Sequence, residues 1–414
     1  MNRILQSVFL VFFTLSFEKS FATTASVKSI GMGGACMAFP LDAGVMAYNP
    51  AGIVDLENRF DIELYLPFNT SRASIKGNAN PLVNKADKNT ASLKISPESA
   101  AVYHVTPTLA LGYIFYNEKE LHNSYDNVFP LVGTSKLSFE YELQFFSPTI
   151  AWEFFKGQTF SIQLNYVTQR ARLQGAENLA AGNGFFSTDP SFVTNKGYNY
   201  STGYGVTFGW KGQINDRFSF GIAWKPKTHM KTLNQYKGFL AGQGSLDIPT
   251  IVRAGIAMKA FCNWTFAFDY QLLRYSEIPA LNNSFTKRMS PPILALGADD
   301  GAGFGFQDQH FFRLGVNWDV SCKVSLRAGF RHANVVYSGK NVPPNILTND
   351  VTVDFLTCGG TWRLLENAEI NGFFAWGFNN KKKGPIEGGF PFGGGETTLK
   401  QQRIIFALSL GWLY

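Results

Sequence analysis

The C-terminal stretch constrains the fold most. Phe406, Leu408, Leu410, Trp412 and Tyr414 alternate with Ala407, Ser409, Gly411 and Leu413. A period of two means an extended strand whose two faces meet different surroundings. The pattern recurs in Phe60–Leu66, Ala100–Val105, Leu109–Tyr116, Phe139–Phe155 and Phe160–Arg172. It continues in Tyr200–Lys211, Phe218–Lys227, Asp247–Phe261 and Trp264–Tyr275, then in Phe311–Val320, Val324–Tyr337, Val351–Leu364, Ala368–Asn379 and Thr397–Tyr414. Tight turns such as Thr106-Pro107-Thr108, Lys156-Gly157-Gln158 and Glu366-Asn367 separate alternate pairs. The other connections are long, as in Asn69–Pro97 and Asn117–Leu137. About fourteen strands with short turns at one end and long loops at the other predict an all-β fold, a transmembrane antiparallel β-barrel of the outer-membrane kind. An even number puts both termini on the short-turn, periplasmic side.

Composition supports this class. With 39 Phe, 16 Tyr and 8 Trp, the chain is 15% aromatic, yet its mean hydropathy is only −0.06. A lipid-facing band with aromatic girdles uses such rings, whereas a soluble core could not hide them. No run of about eighteen apolar residues follows the start, so no transmembrane helix is expected. Met1–Ala22 reads as a signal peptide: Arg3 is the positive end, Ile4–Phe17 the apolar run, and Ser20-Phe21-Ala22 the cleavage site. The net charge of +7 comes without a basic run interleaved with stacking residues, which argues against nucleic acid.

Residues 23–58 precede the barrel, which takes up 59–414. Within them, Ser29–Ile53 holds Gly31, Gly33, Gly34, Gly44, Gly52, Pro40 and Pro50, too many breakers for one regular element. Ile30, Met32, Met37, Phe39, Val45, Met46 and Ile53 are nevertheless too apolar for a solvated linker. Such a segment needs a surrounding structure to bury it, and a plug inside the barrel lumen is the expectation. GMGGA, then Asp42-Ala43, then Asn49-Pro50-Ala51-Gly52, resembles the N-terminal hatch of the FadL family of outer-membrane transporters of long-chain fatty acids and hydrocarbons. Ending on an aromatic resembles the signal that outer-membrane barrels present to their assembly machinery.

The resemblance implies capture of a hydrophobic ligand by external loops, transfer to an apolar pocket, and lateral release into outer-membrane lipid when the hatch shifts. Asn117–Leu137 and Thr232–Leu246 correspond in order to the capture loops. Leu121, Tyr125, Val128, Phe129, Leu131, Tyr236, Phe239 and Leu240 would supply their apolar surface. The family also has an inward kink in its third strand, here Leu109–Tyr116. The residues themselves place a kink elsewhere: Tyr141, Leu143 and Phe145 would face lipid, but beyond Ser147-Pro148 the apolar set becomes Ile150, Trp152 and Phe154, which predicts a bulge.

Strand parity sends Lys225, Arg253, Asp269, Arg313, Asp319, Arg327 and Arg331 to the lumen. Asp319 is expected to pair with Arg327. Arg253, Arg313 and Arg331 outnumber nearby acids and could receive a carboxylate, with Lys225 next in line. In Tyr200–Lys211, large outward residues alternate with Gly203, Gly205, Thr207 and Gly209, leaving room inside. No catalytic constellation appears: the five histidines are scattered, and neither a metal-ligand spacing nor a nucleophile elbow is present. An enzyme, a cofactor and a metal are therefore not expected. Gly301–Gly305 reads as a flexible external loop. Cys262 and Cys322 read as free thiols in separate turns. A general porin for small polar solutes is the first alternative, requiring an open eyelet. A barrel-anchored surface adhesin is the second, requiring a large external domain.

Overall fold

The computed structural model describes residues 25–91, 95–126, 133, 135–180, 186–285, 295–386 and 393–414. The expected signal peptide lies outside them. Fourteen antiparallel strands form the wall. The first five are β1 (Arg59–Lys76), β2 (Ser96–Thr106), β3 (Leu109–Tyr125), β4 (Leu137–Phe155) and β5 (Gln158–Gln174). Next come β6 (Asn199–Gln213), β7 (Phe218–Lys225), β8 (Ile251–Ala260), β9 (Trp264–Leu273) and β10 (Gln309–Asp319). The last four are β11 (Val324–Ala333), β12 (Phe355–Leu365), β13 (Ala368–Pro385) and β14 (Glu396–Leu413). β14 pairs with β1 from Arg59↔Leu413 to Lys76↔Glu396 and closes the barrel. Closure satisfies the ladder that lipid could not. A three-residue strand, Ala86–Lys88, adds to the long-loop end of β1.

Alternation decides which side chains meet lipid. On β14, Phe406, Leu408, Leu410 and Trp412 are 44% to 60% exposed, while Ala407 and Ser409 are buried. β6 behaves as its sequence indicates, with Tyr204 and Trp210 outside and Gly203 and Gly209 inside.

Two expectations about strands need correction. β1 and β3 run well past Leu66 and Tyr116, so parts of the expected loops Asn69–Pro97 and Asn117–Leu137 belong to the wall. Beyond the apolar band both faces carry polar residues. The alternation fades there while the backbone ladder continues. The predicted bulge at Ser147-Pro148 is absent, since β4 keeps one register against β5 from Ser138↔Gln174 to Glu153↔Thr159. Tyr141, Leu143 and Phe145 point into the lumen, not to lipid, and Leu143 and Phe145 are buried. The apolar parity changes because the lumen itself becomes apolar at that level. The register shift lies instead on β3, between Asn117 and Lys119.

Residues 25–56 fill the short-turn half of the lumen. They form a helical turn, α1 (Val27–Gly31), and two 3₁₀ turns, Ala43–Ala47 and Pro50–Asp55. Met32, Cys36, Met37, Val45, Met46 and Ile53 are fully buried. The wall makes room for them with glycine. A Cβ on Gly221 would lie 1.9 Å from the Met37 carbonyl oxygen, one on Gly329 2.1 Å from Met32, and one on Gly315 2.4 Å from the Met32 oxygen. Backbone thus meets backbone around the plug, at separations no side chain would allow.

A Gly221→Val barrel should therefore insert and resist heat on gels, yet fail to seat its plug. Planar-bilayer recordings should show low conductance for the native chain. Gly221→Val and a deletion of Thr23–Asp55 should both conduct more. A native channel as open as the deletion would refute the plug reading.

Candidate ligand cavity and its hatch

The hatch is irregular, so its amides need partners other than its own turns. Wall carboxylates supply them. Glu63 accepts from the Ser26 and Val27 amides at 3.0 and 3.2 Å. Asp61 accepts from Ala43 at 2.9 Å. One oxygen of Asp269 accepts from Cys36 and Met37 at 2.7 and 3.0 Å. Thr357 accepts from Gly33 at 2.9 Å and donates to the Gly31 carbonyl at 3.1 Å. Glu369 completes the anchoring: it bonds Lys28 of the hatch and lies 2.7 Å from Arg59, which also grips Asp61 at 2.7 Å. Burial pulls the Lys28 ammonium down to about 8, with Arg59 acting the same way and Glu369 opposing.

The hatch residues singled out by sequence have distinct roles. Gly33 and Gly34 adopt φ of 70° and 83°, a left-handed conformation that glycine adopts at little cost. A Cβ on Gly33 would sit 2.8 Å from the Leu314 and Phe330 carbonyls, and one on Gly34 3.1 Å from Arg313 Cδ. Gly31 packs on Gly359, and Gly52 on Pro40. Asp42 is buried and accepts the Lys28 amide at 3.3 Å. Asn49 is fully buried. It donates to the Met37 and Trp210 carbonyls at 2.8 and 3.2 Å and accepts from Ala51 at 3.2 Å. Pro50 opens the 3₁₀ turn that Asn49 caps, which Ala51 and Gly52 continue. Asn49 thereby ties two hatch turns to each other and to β6.

Above the hatch lies a cavity that is partly open at its mouth. Gly33, Gly34 and Tyr48 contribute to its lining from the hatch. Its walls are apolar, with Leu143, Phe139, Leu173, Phe239, Leu240 and Phe306 among them. Leu121 and Tyr125 are not loop residues but inward positions of β3. With Tyr236, Phe239, Leu240, Phe304 and Phe306 they form one buried cluster across the long-loop end. The expected surface groove is thus an internal cap for these residues. Phe129 and Leu131 lie outside the described residues. Gly301–Gly305 is likewise no simple external loop, because Phe304 and Phe306 turn in and are 6% and 3% exposed.

The four candidate cations separate into two pairs. Lys225 and Arg253 are held by Glu118, Lys225 in direct contact and Arg253 at 3.5 Å. Arg313 and Arg331 stand directly opposite each other across β10 and β11 and line the cavity. Arg313 donates to Gln271 at 2.9 Å, but its Nη1 is buried without a partner. Arg331 makes no hydrogen bond or ion pair among the described residues, and its Nε is buried. It stacks instead over Phe355 at 4.3 Å and Phe311 at 5.7 Å. Asp269, across from Arg313 in register, is turned to the hatch amides. Asp319 bonds Asn317 and Ser325 rather than Arg327, which donates to Thr361 at 2.7 Å.

Sequence reasoning missed Gln271, which bridges Arg253 and Arg313, and Glu118 at the β3 bulge. Both carry a detectable signal: Gln271 shares its parity with Asp269, and the bulge sits where β3 loses its alternation. At that bulge the wall ladder thins. β2 pairs with β3 only up to Ser99↔Phe115. Beyond it, the Asn117 amide turns to the Glu98 carboxylate at 3.1 Å, and Ser96 donates to Glu120 at 3.1 Å. The cavity reaches this place through Glu118, Lys119 and Leu121. Cys262 and Cys322 are free and exposed. Among the described residues no cluster of His, Cys, Asp or Glu could hold a metal ion.

A plugged, closed barrel of this kind defines an outer-membrane channel class. The chain matches the family model for outer membrane protein transport protein (OMPP1/FadL/TodX) over residues 20–387 and belongs to that family. The toluene transporter TodX of Pseudomonas putida has a similar fold, with a TM-score of 0.69 at 14% identity, covering 96% of this chain and 99% of TodX. A Pseudomonas aeruginosa FadL homologue gives 0.70 at 12% identity, covering 95% and 99%. The toluene transporter TbuX of Ralstonia pickettii gives 0.64 at 14% identity, covering 97% and 100%. A comparison with curated proteins finds no match.

The Asn49 geometry leads to a specific expectation. Asn49→Ala removes three hydrogen bonds at a fully buried site, a loss of roughly 1–3 kcal/mol where a polar group is left unpaired. The barrel should stay folded, hatch amides should exchange hydrogen faster, and transport should fall. Native exchange and transport in this variant would reduce Asn49 to a bystander.

Proposed function

We propose that the protein takes up hydrophobic molecules bearing an anionic head, long-chain fatty acids being the fitting class. The observation that carries this reading is the Arg313–Arg331 pair: two guanidiniums without an acid partner beside an apolar cavity. A carboxylate there would take charge-assisted bonds while its chain lies against Leu143, Phe139 and Phe239. A neutral monoaromatic, the cargo named for the toluene transporters, would leave both guanidiniums unanswered.

In this reading the long loops face outside and both termini face the periplasm. Ligand enters beneath the cap of Tyr236, Phe239, Leu240, Phe304 and Phe306 and settles above Gly33 and Gly34. It leaves sideways at the β3 bulge, where β2 no longer pairs and the hatch segment Gly33–Gly34 can yield. A greasy ligand gains nothing from an aqueous exit, because its apolar surface would return to water. A general porin is disfavoured by the fully buried hatch.

Mass spectrometry of lipid extracted with the purified barrel should find fatty acid. Arg313→Gln and Arg331→Gln should each weaken fatty-acid binding by about ten- to a hundredfold, since a charge-assisted hydrogen bond contributes about 1.5–3 kcal/mol. Binding of the matching alcohol or hydrocarbon should barely change. Equal losses for charged and neutral ligands would assign these arginines to shaping the barrel.

A further inference from the structure

Four cations that lie far apart in sequence meet on the outer surface. Lys381 of β13 stands opposite Lys400 of β14, and Lys400 stands opposite Arg72 of β1. Arg72 in turn stands opposite Lys88 of the short strand Ala86–Lys88. All four are exposed. Neighbouring strands lie about 4.8 Å apart, so the row spans roughly 15 Å of wall. The seam that closes the barrel brings it together.

Like charges directly opposite each other destabilise a sheet, and nothing in the row relieves them. No hydrogen bond or ion pair is formed by these four side-chain cations among the described residues. The acids nearby are engaged elsewhere. Glu396, two rows farther from the membrane band, holds Lys383 at 2.5 Å. Asp354, on the other flank, holds His332 at 2.5 Å. Asp87 alternates to the inner face, opposite buried Ala73.

The position of the row is equally specific. One row nearer the short-turn end are Gln402 and Thr70, and beyond them Trp376, Ile404 and Phe68 form the upper edge of the apolar band. Phe68 and Phe406 touch there edge to face, with centroids 6.0 Å apart. Four residues of strand separate Ile404 from Lys400, about 13 Å along a tilted strand. That height is where the phosphates of an outer-leaflet lipid lie when its acyl chains cover the aromatic edge.

We propose that this seam is a docking surface for a phosphorylated glycolipid of the outer leaflet, the lipid A moiety of lipopolysaccharide. Its phosphates would lie along Lys381, Lys400, Arg72 and Lys88, and its acyl chains against Phe68, Ile404 and Phe406. A phosphate screens the row and removes the repulsion that the bare sheet carries. The proposal requires the long-loop end to face outside but not the proposed cargo, so fatty-acid binding and glycolipid binding can fail independently.

The test uses the intact barrel in detergent and native mass spectrometry with bisphosphorylated lipid A, enzymatically dephosphorylated lipid A, and inorganic phosphate as competitor. The native protein should retain bisphosphorylated lipid A through detergent exchange and should not retain the dephosphorylated form. A variant with R72Q, K88Q, K381Q and K400Q should bind about a thousandfold more weakly, the scale expected for four cations at a lipid surface. These exposed positions should leave heat resistance of the barrel intact. K227Q with K231Q, a control that removes two cations elsewhere, should bind normally. Unchanged binding by the fourfold variant would overturn the proposal, as would equal retention of dephosphorylated lipid. Displacement by millimolar inorganic phosphate would also overturn it, by making the row a small-anion site.

Discussion

The structure depends on giving every backbone polar group inside a membrane-spanning barrel a partner. The wall meets this by closing β14 on β1, which removes the edges that lipid could not hydrate. The hatch cannot, because its glycines and prolines forbid a continuous ladder. It borrows the carboxylates of Glu63, Asp61 and Asp269 from the wall. Lumen charge in this barrel is therefore largely a scaffold for an irregular segment. Arg59 and Lys28 balance the acids around Glu369, so removing any one member would leave a buried charge uncompensated.

Glycine on the wall is the geometric counterpart of those carboxylates. Met32 touches Gly315 and Gly329, Met37 touches Gly221 and Gly255, and Asn49 touches Gly209. Each contact brings main chain or a short side chain within range of a strand, so amides and acceptors can meet without a side chain between. The same closeness limits what the hatch can do. A plug keyed into glycines resists small shifts over most of its length, since they would lose several bonds together.

Much of this was legible in the sequence. The strand number, the outward face of β14, the small inner face of β6 and the buried character of Ser29–Ile53 all follow from periodicity and composition. What failed shares one cause. A period of two says that the two faces differ, not which face is inside. Where the lumen is as apolar as lipid, Tyr141, Leu143 and Phe145 read as lipid-facing, and an unbroken strand looks kinked. Parity likewise placed Lys225, Arg253, Arg313 and Arg331 in the lumen but could not say that the β3 bulge would bring Glu118 to the first two. Phe304 and Phe306 were hidden because a glycine-rich stretch carries no period with which to mark an inward turn.

Arg313 and Arg331 stand out against the economy of the rest. Arg331 has no hydrogen-bonding or acid partner among the described residues, and Arg313 has only the neutral Gln271, so the two face each other with aromatic rings for company. Cation–π contacts with Phe311, Phe355 and Tyr48 contribute about 0.5–2 kcal/mol each. That offsets only part of what desolvating a guanidinium costs. The remainder is a standing bias toward any anion that can reach them. Because the approach lies through an apolar cavity, a small hydrated anion would have to shed its water along the way, while a carboxylate on a long chain would be carried in by its tail. On the proposed reading, selectivity for an amphiphile would need no shaped pocket around the head: the cavity would select the chain, and the acid-free arginine pair the charge.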